Sequence, residues 1–137
     1  MSKSELLEMA SQVRSQAHAP YSGFGVGAAL LTKTGKIFCG CNVENVSLGL
    51  TICAERAAVA AAVAAGEKEF VAIAIVTDSA EPALPCGACR QVLAEFNAGL
   101  TIIASTLRQR SEEFSLSELL PRPKQGILEA FNVQASD

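Results

Sequence analysis

The sequence predicts an α/β fold, a three-layer α/β/α sandwich around a five-stranded mixed sheet. Three observations lead there. An apolar, β-compatible hairpin pattern occupies residues 26–41, and a continuous apolar run of six residues fills Val71–Val76. After the hairpin, helical and strand-like segments alternate, the order that favours parallel pairing through right-handed crossovers. With 137 residues the chain is long enough for one continuous core, and 1–137 reads as a single domain. The last ~14 residues form a weakly patterned tail, and no repeat or linker interrupts what precedes it.

Ser2 followed by Glu5 has capping-box spacing, and Leu6, Ala10, Val13 and Ala17 recur at helical period, so an amphipathic helix is predicted up to Pro20. Val26–Leu31 and Ile37–Cys41 flank Thr34-Gly35, which supplies turn chemistry for a hairpin. Thr51–Ala65 is dominated by alanine, the best helix former, and Gly66 stands where a helix stops; its small side chains would let it lie close to a sheet. The Val71–Val76 run suits a strand covered on both faces, at the sheet's centre. Pro85 precedes a helical segment, Cys86–Phe96, which Asn97-Ala98-Gly99 breaks before a short strand at Thr101–Ala104. An edge strand is expected near Phe114, and Ser115 with Glu118 repeats the capping-box spacing ahead of a last short helix ending at Pro121.

Composition excludes several function classes. The net charge of −3, with Lys and Arg scattered, leaves no basic footprint for a phosphate backbone. No Trp and a single Tyr offer no stacking platform for single strands, so nucleic acid is not the expected substrate. Met1–Ala10 carries acids among its apolar residues, and no stretch approaches the roughly 20 apolar residues that span a bilayer. A cytoplasmic location and no membrane partner are expected. In a reducing compartment the five cysteines read as metal ligands or buried side chains rather than disulfides.

Two short segments carry the chemistry, Cys53-Ala54-Glu55 and Pro85-Cys86-Gly87-Ala88-Cys89. Cys86 and Cys89 sit three residues apart at the start of a predicted helix, and Cys53 opens another, so the positive ends of two helix dipoles would favour thiolates. Three thiolates with no fourth protein ligand would leave a zinc position open for water. Glu55 lies roughly 200° around an ideal helix from Cys53, which suits a carboxylate reaching that water better than a fourth ligand. Three thiolates on a dication leave the site one charge negative, so a cation should stand nearby. Arg56, i+3 from Cys53, and Arg90, next to Cys89, are the candidates for hydrogen bonds to ligand sulfur, and Arg56 is preferred. The rival is a structural four-sulfur site completed by Cys39 or Cys41, which face one side of a strand; they read more simply as small buried hydrophobes. His18, the only histidine, reads as a surface residue near Pro20.

These segments closely resemble the small zinc-dependent cytidine deaminases, with three cysteine ligands and a non-ligand Glu. The match extends to Pro20-Tyr21-Ser22, Phe24, Val26-Gly27-Ala28-Ala29-Leu30, Gly40-Cys41-Asn42-Val43-Glu44-Asn45, Arg90-Gln91-Val92 and Leu119-Leu120-Pro121, covering about Ala10 to Pro121. The resemblance implies one Zn2+ per chain on Cys53, Cys86 and Cys89, and Glu55 as the catalytic proton carrier. It implies that Asn42 and Glu44 hold the ribose 3′-hydroxyl, that Phe24 packs by the pyrimidine and that the Ala54 N–H meets the base carbonyl. It further implies a homotetramer with sites near subunit interfaces, and cytidine or deoxycytidine deamination in pyrimidine salvage. Two positions depart from the family pattern: Leu48 stands where an aromatic, commonly Tyr, is usual, and Lys124 where a Phe is usual. Losing one stacking ring costs about 1–3 kcal/mol, enough to alter selectivity. The alternatives are a deaminase of modified cytosine nucleosides, blasticidin S-like or N4-substituted, and a non-catalytic zinc-stapled module. Phe131 is not expected to replace the missing ring.

Overall fold

The structure is a computed structural model that describes residues 2–123; Lys124, Phe131 and the rest of the tail lie outside the described residues. Helix α1 spans Lys3–Arg14, with the Ser2 Oγ accepting the Glu5 N–H at 3.2 Å. The Ser2 hydroxyl donates to the Glu5 carboxylate at 3.1 Å, so the acid completes the cap through the serine side chain. Strands β1 (Val26–Thr32) and β2 (Ile37–Cys41) follow as the expected hairpin. Helix α2 spans Ala54–Ala64, strand β3 Phe70–Thr77 and helix α3 Gly87–Phe96. Strand β4 (Thr101–Thr106), edge strand β5 (Ser111–Ser115) and the single turn α4 (Leu116–Leu119) complete the chain order. The Ser115 N–H donates to Glu118 Oε1 at 2.9 Å, as the capping spacing requires.

Both helices that carry cysteines start later than their sequence pattern. Helix α2 begins at Ala54 rather than Thr51, because Ile52 is extended and exchanges two 2.9 Å hydrogen bonds with Val43. Helix α3 begins at Gly87, with Cys86 as an extended N-cap. Alanine-rich composition favours a helix but does not choose its first residue; non-local pairing does.

The sheet order is β2-β1-β3-β4-β5. Parallel pairing occurs between neighbours only at β3–β4; β1 pairs antiparallel with both β2 and β3, and β5 antiparallel with β4. Strand β2 runs in the same direction as β3, but β1 lies between them, so the α2 crossover passes over β1. The hairpin enters the sheet through its first strand, a choice that local pattern cannot express.

Residues alternate between two covered faces, the period of a strand buried on both sides. Ala29, Ala74, Val76 and Ile103 meet Leu6 and Ala10 of α1, whereas Leu30, Ile73, Ile75 and Ile102 meet Ala58, Ala62 and Leu93 of α2 and α3. Val71 alone of the predicted run is exposed, at the end of β3 where the β1 register shifts. Gly40 sets the height of α2 above the sheet: a Cβ there would lie 2.4 Å from the Ala58 nitrogen and 2.5 Å from the Ala54 oxygen. The first turns of α2 therefore rest on the backbone of β2, and this seats Cys53 and Glu55. Among the described residues no helix is long and apolar enough to cross a membrane.

Candidate active site

Two helix N-termini meet, and a cysteine caps each. Cys53 is the N-cap of α2 and Cys86 the N-cap of α3, both with extended backbone. Cys89 is the third residue of α3, and an N-cap and its third helical residue have side chains that meet, the geometry used by a capping box. The sulfurs of Cys53, Cys86 and Cys89 lie within 4.8 Å of one another, with Cys53 Sγ and Cys86 Sγ 3.9 Å apart. Because an N-cap is not helical, the roughly 200° separation computed for an ideal helix does not keep Glu55 from this place. Glu55 is 5% exposed and its carboxyl interacts with the Cys89 thiol.

The electrostatics of the group ask for a cation. Burial pushes the Glu55 carboxyl above the usual carboxylate range. Burial, then the charges of Glu55 and Cys53, drive the Cys89 thiol far up. At Cys86 burial works in the same sense but is outweighed, and the backbone N–H and thiol of Cys89 draw its thiol below the ordinary value. Three thiols and a carboxyl crowded at low dielectric cannot all ionise unless positive charge joins them. The donor set fits zinc: soft thiolates select it over hard cations, and two thiolates at tetrahedral angles on bonds of about 2.3 Å stand about 3.8 Å apart, close to the observed spacing. Among the described residues the metal-ligating group consists of these three sulfurs. Cys39 packs with the cluster under α1, whereas Gly40 between it and Cys41 faces α2. Strand alternation thus turns both remaining cysteines away from the group.

Of the two arginines, only Arg56 touches a ligand sulfur. Its Nη2 lies 3.5 Å from Cys53 Sγ and 3.5 Å from the Thr51 oxygen. It is the third residue of α2, so Cys53 and Arg56 repeat the cap relation of Cys86 and Cys89. Arg56 Nε is buried with no hydrogen-bond partner among the described residues. Arg90 points elsewhere, donating to the oxygens of Pro85 at 2.8 Å and Leu119 at 3.1 Å, and so ties α3 to α4. His18 is exposed, as expected, and its backbone pairs with Val43.

The remaining candidates lie on a strip of chain stitched to Cys53. Val43 bridges His18 on one side and Ile52 on the other. Asn42 and Glu44, beyond the end of β2, both turn to the 21–26 loop. Asn42 is buried; its Oδ1 accepts from Val26 N–H and its Nδ2 donates to the Phe24 oxygen, each at 2.8 Å. Glu44 Oε1 accepts the N–H groups of Tyr21 at 3.0 Å and Ser22 at 3.1 Å, and Oε2 accepts the Ser22 hydroxyl. The structure therefore gives both side chains partners in the chain before and at the start of β1, with the Asn42 amide used at both ends. Phe24 is exposed, and Ala54 is the first residue of α2, where a backbone N–H has no acceptor within its helix. Sequence reasoning passed over Ser22 and Thr51; Ser22 stands inside the quoted Pro20-Tyr21-Ser22 motif, but only the fold shows what its hydroxyl meets. A cavity of about 500 Å³ lies between α1 and the ends of β3 and β4, and none of the three cysteines lines it.

Comparison with known proteins agrees with this geometry. Residues 1–105 match the family described as the cytidine and deoxycytidylate deaminase zinc-binding region. The chain is 48% identical over 122 residues to a cytidine deaminase of Halalkalibacterium halodurans, spanning 88% of this chain and 92% of that one. It is 45% identical over 122 residues to a cytidine deaminase of Sporosarcina psychrophila, spanning 88% and 90%. The crystal structure of a cytidine deaminase from Burkholderia pseudomallei superimposes with a TM-score of 0.86 at 48% identity, covering 88% of this chain and 98% of that one.

Proposed function

The chain belongs to the zinc-dependent cytidine deaminase family, and from that premise we propose that it hydrolyses free cytidine and deoxycytidine to uridine and deoxyuridine, releasing ammonia. One observation carries the proposal: the buried Glu55 carboxyl interacts with Cys89, one of three thiols that lie within 4.8 Å of one another. Cys53, Cys86 and Cys89 would hold one zinc ion per chain, which would supply Lewis acidity to activate water near neutral pH.

Glu55 is the proton carrier. It takes a proton from the attacking water and delivers it to ring N3 as the oxygen bonds to C4. It then takes the remaining proton from the new C4 hydroxyl and hands it to the amino nitrogen, the C4–N bond breaks as the C4 carbonyl forms, and ammonia departs. Burial raises the Glu55 carboxyl above the usual carboxylate range, the direction that favours a group that must both take and give a proton. Phe24 packs by the pyrimidine, the Ala54 N–H meets the base carbonyl, and Asn42 and Glu44 face the sugar, Asn42 through the loop that it holds.

Arg56 offsets the extra negative charge of three thiolates through its contact with Cys53. Replacing it with Gln is expected to lower kcat and zinc affinity each by about 10- to 100-fold. Paired kinetics and metal analysis at graded chelator concentration check this; unchanged values in both would remove Arg56 from the mechanism.

The working assembly is a homotetramer, with each site near a subunit interface. Support comes from Leu48 and Leu50, 74% and 67% exposed, which form an apolar turn just before Cys53. Leu50→Asp is expected to convert the tetramer to smaller species in sedimentation velocity, and an unchanged profile would contradict this placement of the interface. Thiolate ligands require a reducing setting, which supports a cytoplasmic enzyme of pyrimidine salvage. A panel of cytidine, deoxycytidine, N4-substituted cytidine and blasticidin S tests the substrate. Plain nucleosides are expected to be turned over fastest; preference for a modified base would move the assignment to the second reading, which the exposed Leu48 motivates.

A further inference from the structure

We infer that Ser22 is a positioning residue of this site: its hydroxyl, fixed by the Phe24 N–H, aims one oxygen of Glu44 at the sugar of the substrate. The inference rests on the reading of Glu44 as the sugar-facing acid and adds the group that sets its orientation.

A carboxylate offers roughly four acceptor positions. Three are used here, two on Oε1 by the N–H groups of Tyr21 and Ser22 and one on Oε2 by the Ser22 hydroxyl. One position remains, on Oε2, beside the serine. The direction of the serine proton is not free. The Phe24 N–H donates to Ser22 Oγ at 3.0 Å, which occupies the oxygen as acceptor, and its own proton goes to Glu44, an oxygen that can only accept. Gly23 makes the turn between them possible: its φ of 70° is left-handed, and no atom lies within 4 Å of where a Cβ would stand. The Ser22 hydroxyl is the first cause holding the Glu44 carboxyl below its usual range, which keeps it an acceptor for a hydroxyl donor. Without that hydroxyl, Oε2 loses its only donor among the described residues and the carboxylate can pivot about its two backbone contacts. Ser22 is exposed, so removing its oxygen opens no cavity.

The penalty of removing it should therefore fall on binding, and only for nucleosides that present a 3′-hydroxyl. The test measures kcat and KM for cytidine and the inhibition constant of 2′,3′-dideoxycytidine, which lacks that hydroxyl, on zinc-loaded wild type, Ser22→Ala, Ser22→Thr and Glu44→Gln. Ser22→Ala is expected to raise KM for cytidine about tenfold with kcat within about twofold. It should leave the dideoxynucleoside constant within about twofold, and Ser22→Thr should restore most of the cytidine KM. An equal penalty on both nucleosides, a fall in kcat alone, failure of Ser22→Thr to restore, or no penalty while Glu44→Gln impairs cytidine would overturn the inference. If Glu44→Gln also leaves the cytidine KM unchanged, the sugar-facing reading of Glu44 itself falls.

Discussion

Replacing Glu55 with Ala is expected to lower kcat for cytidine by about 10⁴-fold, the upper end of what one positioned acid–base contributes, because in the proposed mechanism a single carboxyl serves every proton transfer of the cycle. The zinc content should remain at one ion per chain, since the sulfurs of Cys53, Cys86 and Cys89 form the ligand group without it. The fold should persist and gain stability, because the carboxyl is 5% exposed and burial disfavours its charged form. Steady-state kinetics, metal analysis and a thermal melt on one preparation separate these effects. A variant that loses zinc together with activity would place Glu55 among the ligands, contrary to the open three-sulfur site.

Replacing Cys89 with Ala is the second large effect, and it should act through the metal. Apparent binding free energies for structural zinc run to about 10–16 kcal/mol, so removing one of three protein ligands should cost on the order of 3–5 kcal/mol, or about 10²–10⁴ in affinity. Cys89 has the deepest burial of the three, at 0% exposure, and its loss also leaves Glu55 without its thiol neighbour. Dialysis against a mild chelator should strip the variant of zinc and activity under conditions that leave the wild type loaded. Cys39→Ala is the internal control: its side chain packs with the cluster under α1, so it should keep zinc and turnover. If Cys39→Ala loses zinc as Cys89→Ala does, Cys39 belongs to the ligand set and the open three-sulfur site is wrong.

The two predictions rest on features of unequal legibility in the sequence. The cysteine spacing, the alanine-rich helix and the apolar run at Val71–Val76 are local patterns, and each element formed near where the pattern lies. What local pattern could not express was pairing across the chain. The place of β1 between β2 and β3, and the Val43–Ile52 bridge that holds Thr51–Cys53 out of α2, arise from contacts between distant segments. The bridge also explains how Glu55 and Cys53 converge: a helix-wheel angle applies only to helical residues, and Cys53 is a cap. The sequence offered both Arg56 and Arg90, each close to a cysteine, and its spacing favoured Arg56. The fold separates them, because Arg56 occupies the third position of its helix and reaches back to its cap, while Arg90 is drawn to Pro85 and Leu119. Asn42 and Glu44 were named by the resemblance as a sugar-holding pair, but their loop partners were not legible, and the part of Ser22 emerged only from those partners.

The most direct test of the central claim is uridine and ammonia release from cytidine by purified, zinc-replete protein, with zinc-replete Glu55→Ala beside it. Equal amounts of uridine and ammonia from the wild type, and about 10⁴-fold less from the variant, are the predicted result. Turnover that survives the substitution, or no turnover by a wild type carrying one zinc per chain, would contradict the account.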